Sequence, residues 1–274
     1  MKQKHLFYGL LIIVALAVIG CSLTVSEKTD INKGSFPKNE HLIMATVWVQ
    51  TSAEYRALCY QAYNLAKFRL DHALKLDSAQ TDKKYAVVVD VDETVLNNIP
   101  YQIECALDDK SYPTGWAEWV DMATAEQIAG SVDFLNYTVS QGVDVFYVTN
   151  RRISRKDGTL ANLVSAGFPQ ASEDHLFMRI EESGKEPRRQ KILETHHILL
   201  LLGDNLNDFS SVFEKESVAE RSEAVDQMKE EFGKRFILLP NPLYGEWARA
   251  IYDYQFDLTD QEKSRLRKSS LRPH

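Results

Sequence analysis

Two carboxylates stand two residues apart in Asp90-Val91-Asp92-Glu93-Thr94, directly after the apolar run 85–89. Backbone that stays extended has a period of two, so both side chains would leave the same side of the chain. Like charges sharing one site repel, and a hard divalent cation such as Mg2+ is the usual counter-charge for oxygen ligands. A second pair, Asp204 and Asp208, follows another apolar run in Gly203-Asp204-Asn205-Leu206-Asn207-Asp208. A single aspartate after a strand is more often a helix cap or turn residue. Four in two spaced pairs point instead to a metal site. Thr149-Asn150 at the end of a third run, with Lys185 in Ser183-Gly184-Lys185, completes the groups that phosphoryl transfer through an aspartate requires.

These residues need a scaffold that brings distant segments together. Strand-like apolar runs fall at 85–89, 143–148, 197–202 and 236–239, with a weaker one at 176–180. Helical patterns fill the intervals at about 126–140, 155–166, 186–195 and 217–232. Such alternation predicts an α/β fold, a doubly wound parallel sheet with ligands beyond the carboxyl ends of its strands. Ahead of the sheet, a three-to-four spacing from Met44 to Leu76 predicts a long amphipathic helix with room for one break. Residues 97–125 interrupt the alternation with Pro100, Tyr101, Tyr112, Pro113, Gly115, Trp116 and Trp119, an aromatic insertion suited to a lid or substrate-facing cap. Trp119 divides evenly between packing and binding, and Trp247 reads as core. Adjacent His196 and His197 would face opposite ways in a strand, which excludes a shared metal site and leaves solvated turn residues.

Ala53-Glu54-Tyr55, Tyr60-Gln61-Ala62-Tyr63, the Asp90 motif, Tyr147-Val148-Thr149-Asn150-Arg151, Gly203 to Phe209 and Leu239-Pro240-Asn241 together resemble the haloacid dehalogenase (HAD) superfamily. Within it the chain resembles the bacterial class C acid phosphatases, the lipoprotein e or "DDDD" group, over nearly all of the mature sequence. The resemblance implies that Asp90 attacks phosphorus to form an aspartyl-phosphate, and that Asp92 protonates the leaving alkoxide and later takes a proton from water. It implies a Mg2+ or similar ion on Asp90, the carbonyl of Asp92 and Asp204, with Asp208 in support, and phosphoryl oxygens bound by Thr149, the Asn150 amide and Lys185. Relatives often carry a lysine shortly before Lys185; Glu181-Glu182 stands here, so Lys191 is a second candidate. Dehalogenases lack the second aspartate of the motif, and Asp92 therefore favours a phosphatase or phosphotransferase. Tyr101, Trp116 and Tyr244 match positions that flank the substrate's base in the family, implying nucleoside monophosphates, nicotinamide mononucleotide among them, as substrates. A phosphotransferase uses the same residues. A haem, nucleotide or adhesion lipoprotein on the same fold is the non-enzymatic rival, and loss of a catalytic aspartate would favour it; none is lost.

The chain has 274 residues, 44% hydrophobic and 26% charged, the composition of a folded protein with one core domain and an elaboration. Its first residues carry Lys2, Lys4 and His5, then an apolar run that ends in Val18-Ile19-Gly20-Cys21. Residues 1–20 read as a secretory signal, and the last four resemble the bacterial lipobox, making Cys21 a lipidation site. An uncleaved anchor helix is the alternative, and either tethers the protein to a membrane. Ser22 resembles the outer-membrane sorting signal, which implies a periplasmic or surface-facing protein. Residues 21–38 would then be a polar tether, and 39–274 the phosphatase domain with cap elements near 39–80 and 97–125. The net charge of −7 becomes −9 without Lys2 and Lys4, which removes any general attraction to nucleic acid polymers. Cys59 and Cys105 could form one bridge, and a homodimer stays open.

Overall fold

The computed structural model describes residues 38–77 and 82–273. The signal at 1–20, Cys21 and all of the tether except Lys38 lie outside the described residues. No helix among the described residues is long and apolar enough to cross a membrane.

The long N-terminal helical pattern is two helices, α1 (Glu40–Thr51) and α2 (Ala53–Asp77), parted at Ser52. Ser52 has extended backbone, and its hydroxyl accepts the Tyr55 amide at 3.1 Å, so a single serine ends one helix and caps the next. Then follow β1 (Lys84–Val89), β2 (Leu96–Asn97), α3 (Ile99–Leu107), α4 (Trp116–Met122), β3 (Glu126–Gln127), α5 (Ser131–Ser140), β4 (Asp144–Arg152) and α6 (Lys156–Ser165). The chain continues through β5 (Leu176–Arg179), α7 (Glu186–Thr195), β6 (His196–Gly203), α8 (Val218–Gln227), β7 (Phe236–Leu238), α9 (Glu246–Ile251) and α10 (Asp260–Ser269).

Five strands form one parallel sheet in the order β5-β4-β1-β6-β7, with β1 at its centre. Consecutive residues alternate between two cores. Val87, Val89, Val145 and Tyr147 face α2, α5 and α6, whereas Ala86, Val88, Phe146 and Val148 face Ile192 of α7 and Ala224 of α8. Coverage of both faces explains why these strands read as continuous apolar runs. Ala86 pairs with Ile198 but Val87 with Leu200, so Leu199 is an extra residue in β6. Register places Val89 beside both Tyr147 and Leu202. The residues just beyond, Asp90, Thr149 and Asp204, therefore converge at the carboxyl edge, where strand order turns around β1.

The structure departs from the sequence reading in several places. His196 and His197 open β6 rather than a solvated turn: His196 Nε2 lies 3.0 Å from Asp144 Oδ2 and its ring meets Phe146 edge-on at 4.8 Å. The helix expected from 126 starts at Ser131, because Glu126–Gln127 pairs with β2 and Gly130 turns the chain at φ 89°. The last helical pattern stops at Gln227. Cys59 and Cys105 are buried free thiols.

Candidate active site

Strand β1 stops at Val89, and the amide of Asp90 still reaches Leu202 O at 3.0 Å. The chain then folds back, with the amides of Val95 and Leu96 both donating to Val91 O at 3.0 and 2.9 Å. Glu93 occupies the left-handed region at φ 55°, an unfavourable conformation for a residue with a side chain. Extended backbone through Asp92 is thus replaced by a tight turn, and partners rather than strand period orient the two carboxylates. Tyr63 of α2 donates its hydroxyl to Thr94 O at 2.5 Å and Ile128 N donates to Val95 O at 2.9 Å, fixing the turn from outside.

Asp90, Asp204 and Asp208 offer carboxylate oxygens that all lie within 4.8 Å of one another. Lys185, only 4% exposed, donates to Asp90 Oδ1 and, at 2.6 Å, to Asp208 Oδ1. Burial alone would lower the lysine pKa, but the Asp208 and Asp90 carboxylates outweigh it and hold the ammonium charged. Burial pushes Asp90 up to about 7 against the pull of Lys185, with Asp208 and Asp92 adding repulsion. Asp204 is raised well above its ordinary value by burial, then by Asp208 and Asp90. One ammonium does not balance this much negative charge. An all-oxygen, under-compensated cluster fits a hard divalent cation. Asp208 Oδ2 also accepts the Asn205 amide at 3.0 Å, while Asp204 accepts from Thr94 Oγ1 at 3.2 Å and Asn241 Nδ2 at 2.7 Å.

Asp92 lies to one side of this cluster. Its Oδ1 accepts from Asn98 Nδ2 and from Arg151 Nε, each at 2.9 Å, and makes an ion pair with Arg151 Nη2 at 2.8 Å. Thr149 is fully buried, and its hydroxyl accepts the Arg151 amide at 3.1 Å; strand β4 runs on past it and Asn150 to Arg152. Two adjacent arginines of α7 brace the loops. Arg188 donates to Thr149 O at 2.5 Å, Asn150 Oδ1 at 2.7 Å and Gly184 O at 3.0 Å, whereas Arg189 donates to Asp208 O at 2.8 Å. Sequence reading assigned no role to Asn98, Arg151, Arg188 or Arg189. Arg151 and Asn241 lie inside segments already singled out, and the only local signal for the α7 pair is its position just after Lys185. Lys191 is exposed on α7, leaving Lys185 as the lysine at the aspartates.

The aromatic residues divide. Trp116 is partly exposed and meets Tyr101 and Tyr112 edge-on at 5.0 and 5.9 Å, while the Arg151 guanidinium stands 5.5 Å from its ring centre. Tyr101 lies beneath it, 3% exposed, its hydroxyl donating to Thr114 O at 3.1 Å, so it supports Trp116 from below. Tyr244 is 36% exposed and three residues from Asn241, the partner of Asp204. Trp247, read as core, is 43% exposed: α9 is a short surface helix whose buried residue is Ala250, and the indole donates to Tyr244 O at 3.2 Å. Trp119 is buried and donates through Nε1 to Asn98 Oδ1 at 2.8 Å. A separate cavity of about 620 Å³, lined by Leu193, Leu201, Phe209 and Met228 among others, contains none of the residues expected to do chemistry.

Residues 22–247 match the family described as HAD superfamily, subfamily IIIB (Acid phosphatase). The chain belongs to that subfamily. Its fold superposes on the class C acid phosphatase of Bacillus anthracis with a TM-score of 0.84 and 43% identity, over 87% of this chain and 100% of the other. A second structure of that Bacillus anthracis class C acid phosphatase, with tungstate bound, aligns equally well. Curated plant relatives are more distant. Stem 28 kDa glycoprotein of Glycine max is 26% identical over 171 residues, 59% of this chain and 60% of its own length. Acid phosphatase 1 of Solanum lycopersicum is 25% identical over 169 residues, 57% of each chain. The match thus spans somewhat more than half the length of these relatives.

Proposed function

We propose that this protein is a divalent-metal-dependent phosphomonoesterase that works through an aspartyl-phosphate on Asp90. The observation carrying the reading is the convergence of buried Asp90 and Asp208 with half-buried Asp204, Lys185 bridging the first two and Asp92 held separately. Asp90, Asp204 and the carbonyl of Asp92 would hold the ion, with Asp208 braced by Lys185. When bound, the cation neutralises charge on the phosphoryl oxygens and the carboxylates around them.

In the first step a carboxylate oxygen of Asp90 attacks phosphorus, the bond to the ester oxygen breaks, and Asp92 gives that oxygen its proton. Water then attacks the same phosphorus, Asp92 takes its proton, and the Asp90 oxygen leaves as carboxylate. Lys185, the Thr149 hydroxyl and the Asn150 amide stabilise the charged phosphoryl group. Trp116 and Tyr244 flank the group attached to the phosphate, which favours nucleoside monophosphates, nicotinamide mononucleotide included. Transfer of the phosphoryl group to an alcohol uses the same residues. The lipobox-like Val18-Ile19-Gly20-Cys21, followed by Ser22, supports a lipid-anchored enzyme at the bacterial outer membrane.

A panel of nucleoside monophosphates, nicotinamide mononucleotide and p-nitrophenyl phosphate, with and without EDTA, tests the reading. Phosphate release that EDTA abolishes and Mg2+ restores is expected. Tungstate, a tetrahedral oxyanion like phosphate, should inhibit. Activity unchanged by EDTA rejects the metal, and no release from any ester rejects the phosphatase.

A further inference from the structure

Three contacts converge on one oxygen of Asp92. Asn98 Nδ2 and Arg151 Nε donate to Oδ1, Arg151 Nη2 stands 2.8 Å from the same atom as an ion-pair contact, and among the described residues no donor meets Oδ2. A carboxyl group held in this way is fixed in rotation, and its transferable proton belongs on the free oxygen.

Asn98 takes its own orientation from the aromatic insertion. An amide is a donor on one side and an acceptor on the other, so a reversed Asn98 would aim Oδ1 at the Asp92 carboxylate. Trp119 Nε1, which can only donate, binds Asn98 Oδ1 at 2.8 Å, and Arg151 Nη2 donates to the same atom at 3.3 Å. Both side chains are buried, so bulk water does not compete for these bonds. Trp119 in turn rides on α4, which is seated tightly against α6. A Cβ on Gly158 would stand 2.7 Å from Val120 O, and Asn162 binds the amide and carbonyl of Ala125 at 3.1 and 2.9 Å.

We infer that Asn98 and Trp119 are positioning residues for Asp92, through which the insertion at 97–125 sets proton delivery to the leaving group as well as contact with the substrate. This rests on the phosphatase reading, which gives Asp92 a proton to deliver. The test uses the full chain with Mg2+ and compares kcat/KM on a nucleoside monophosphate with kcat/KM on p-nitrophenyl phosphate, whose leaving group departs without a proton; kcat/KM reads formation of the aspartyl-phosphate and not its hydrolysis, which both esters share. Loss of the hydrogen bond that orients Asp92 should lower kcat/KM of Asn98→Ala on the nucleotide about tenfold to a hundredfold. The loss on the activated ester should be less than about threefold, because proton transfer contributes little there. Trp119→Phe keeps the ring and removes the donor, so it carries the test if Asn98→Ala fails to fold, with a smaller loss in the same direction. Because Trp119 acts through Asn98, the double variant should be no worse than Asn98→Ala.

Equal losses on both esters in the folded variants, or losses that multiply in the double variant, overturn the inference alone. A wild-type enzyme that turns over neither ester overturns the phosphatase reading and this inference with it.

Discussion

Asp208 lies so close over Gly203 that a Cβ built on the glycine would stand 2.3 Å from Asp208 Oδ2 and 2.4 Å from its Cβ. The missing side chain is therefore part of the site: it lets the loop after β6 fold Asp208 back to Lys185. Gly203→Ala should displace Asp208, lower stability by about 1–3 kcal/mol through overpacking, and weaken Mg2+ affinity about tenfold or more, as lost ligand support does. Calorimetric titration with Mg2+ and denaturant unfolding check both effects. Unchanged affinity would mean that Asp208 has no part in holding the ion.

Lys185 is the one cation touching both Asp90 and Asp208 among the contacts of the described residues. Lys185→Met leaves two buried carboxylates without their partner, a change that costs about 3–5 kcal/mol in comparable buried pairs. The metal-free variant should unfold at markedly lower denaturant concentration than the wild type. Added Mg2+ should recover part of the difference, because the ion supplies positive charge to the same oxygens.

The pH dependence follows from Asp90. Its folded value of about 7 lies above the ordinary carboxyl value, so between roughly pH 4 and pH 7 the folded metal-free protein binds more protons than the unfolded chain. Its contribution to stability is accordingly most favourable at low pH and falls as pH rises through that window; Asp204 acts in the same direction. Metal binding must displace these protons, so Mg2+ affinity should increase with pH up to about 7. Titration at pH 5 to 8 in buffers of different ionisation enthalpy reads both affinity and proton release. An affinity that is flat with pH would place the ion elsewhere.

Asp90→Asn keeps the size of the nucleophile and removes its attacking charge, and turnover should collapse. Retention of more than about a tenth of the wild-type rate is incompatible with covalent catalysis, since general acid catalysis alone spans about 10²–10⁴. Asp92→Asn should spare p-nitrophenyl phosphate relative to nucleotides. Values of kcat/KM on the two esters, which read aspartyl-phosphate formation alone, separate the roles of the two residues.

Trp116→Ala and Tyr244→Ala should each reduce kcat/KM for nucleotides by the ~1–3 kcal/mol of a lost aromatic stack and leave ring-free phosphate esters nearly unchanged. A constant ratio between the two substrate classes would assign these rings to packing. The buried Tyr101 acts through Trp116, and Tyr101→Phe should therefore have the smallest effect of the three positions.

Cys21→Ser tests the anchor. The variant should not incorporate labelled palmitate and should lose its normal mature anchoring; continued labelling would refute the lipidation site.

The amino-acid sequence alone determined the strand and helix periods, room for one break in the first helical pattern, and the four aspartates, because each is a property of residues close together in the chain; that the break falls at Ser52 came from the structure. The parallel sheet followed from the alternation of those elements. Tertiary structure decided who partners whom. Lys185 meets Asp90 across 95 residues, Arg151 meets Asp92 across 59, and Trp119 meets Asn98 across 21. None of these separations has a local period to reveal it. The same limit explains the departures: Trp247 matches an apolar pattern but sits on a surface helix, and His196 is polar but finds Asp144 and Phe146 at the foot of the sheet. Burial and pairing depend on which segments the sheet order brings side by side, and that order exists only once the chain has folded.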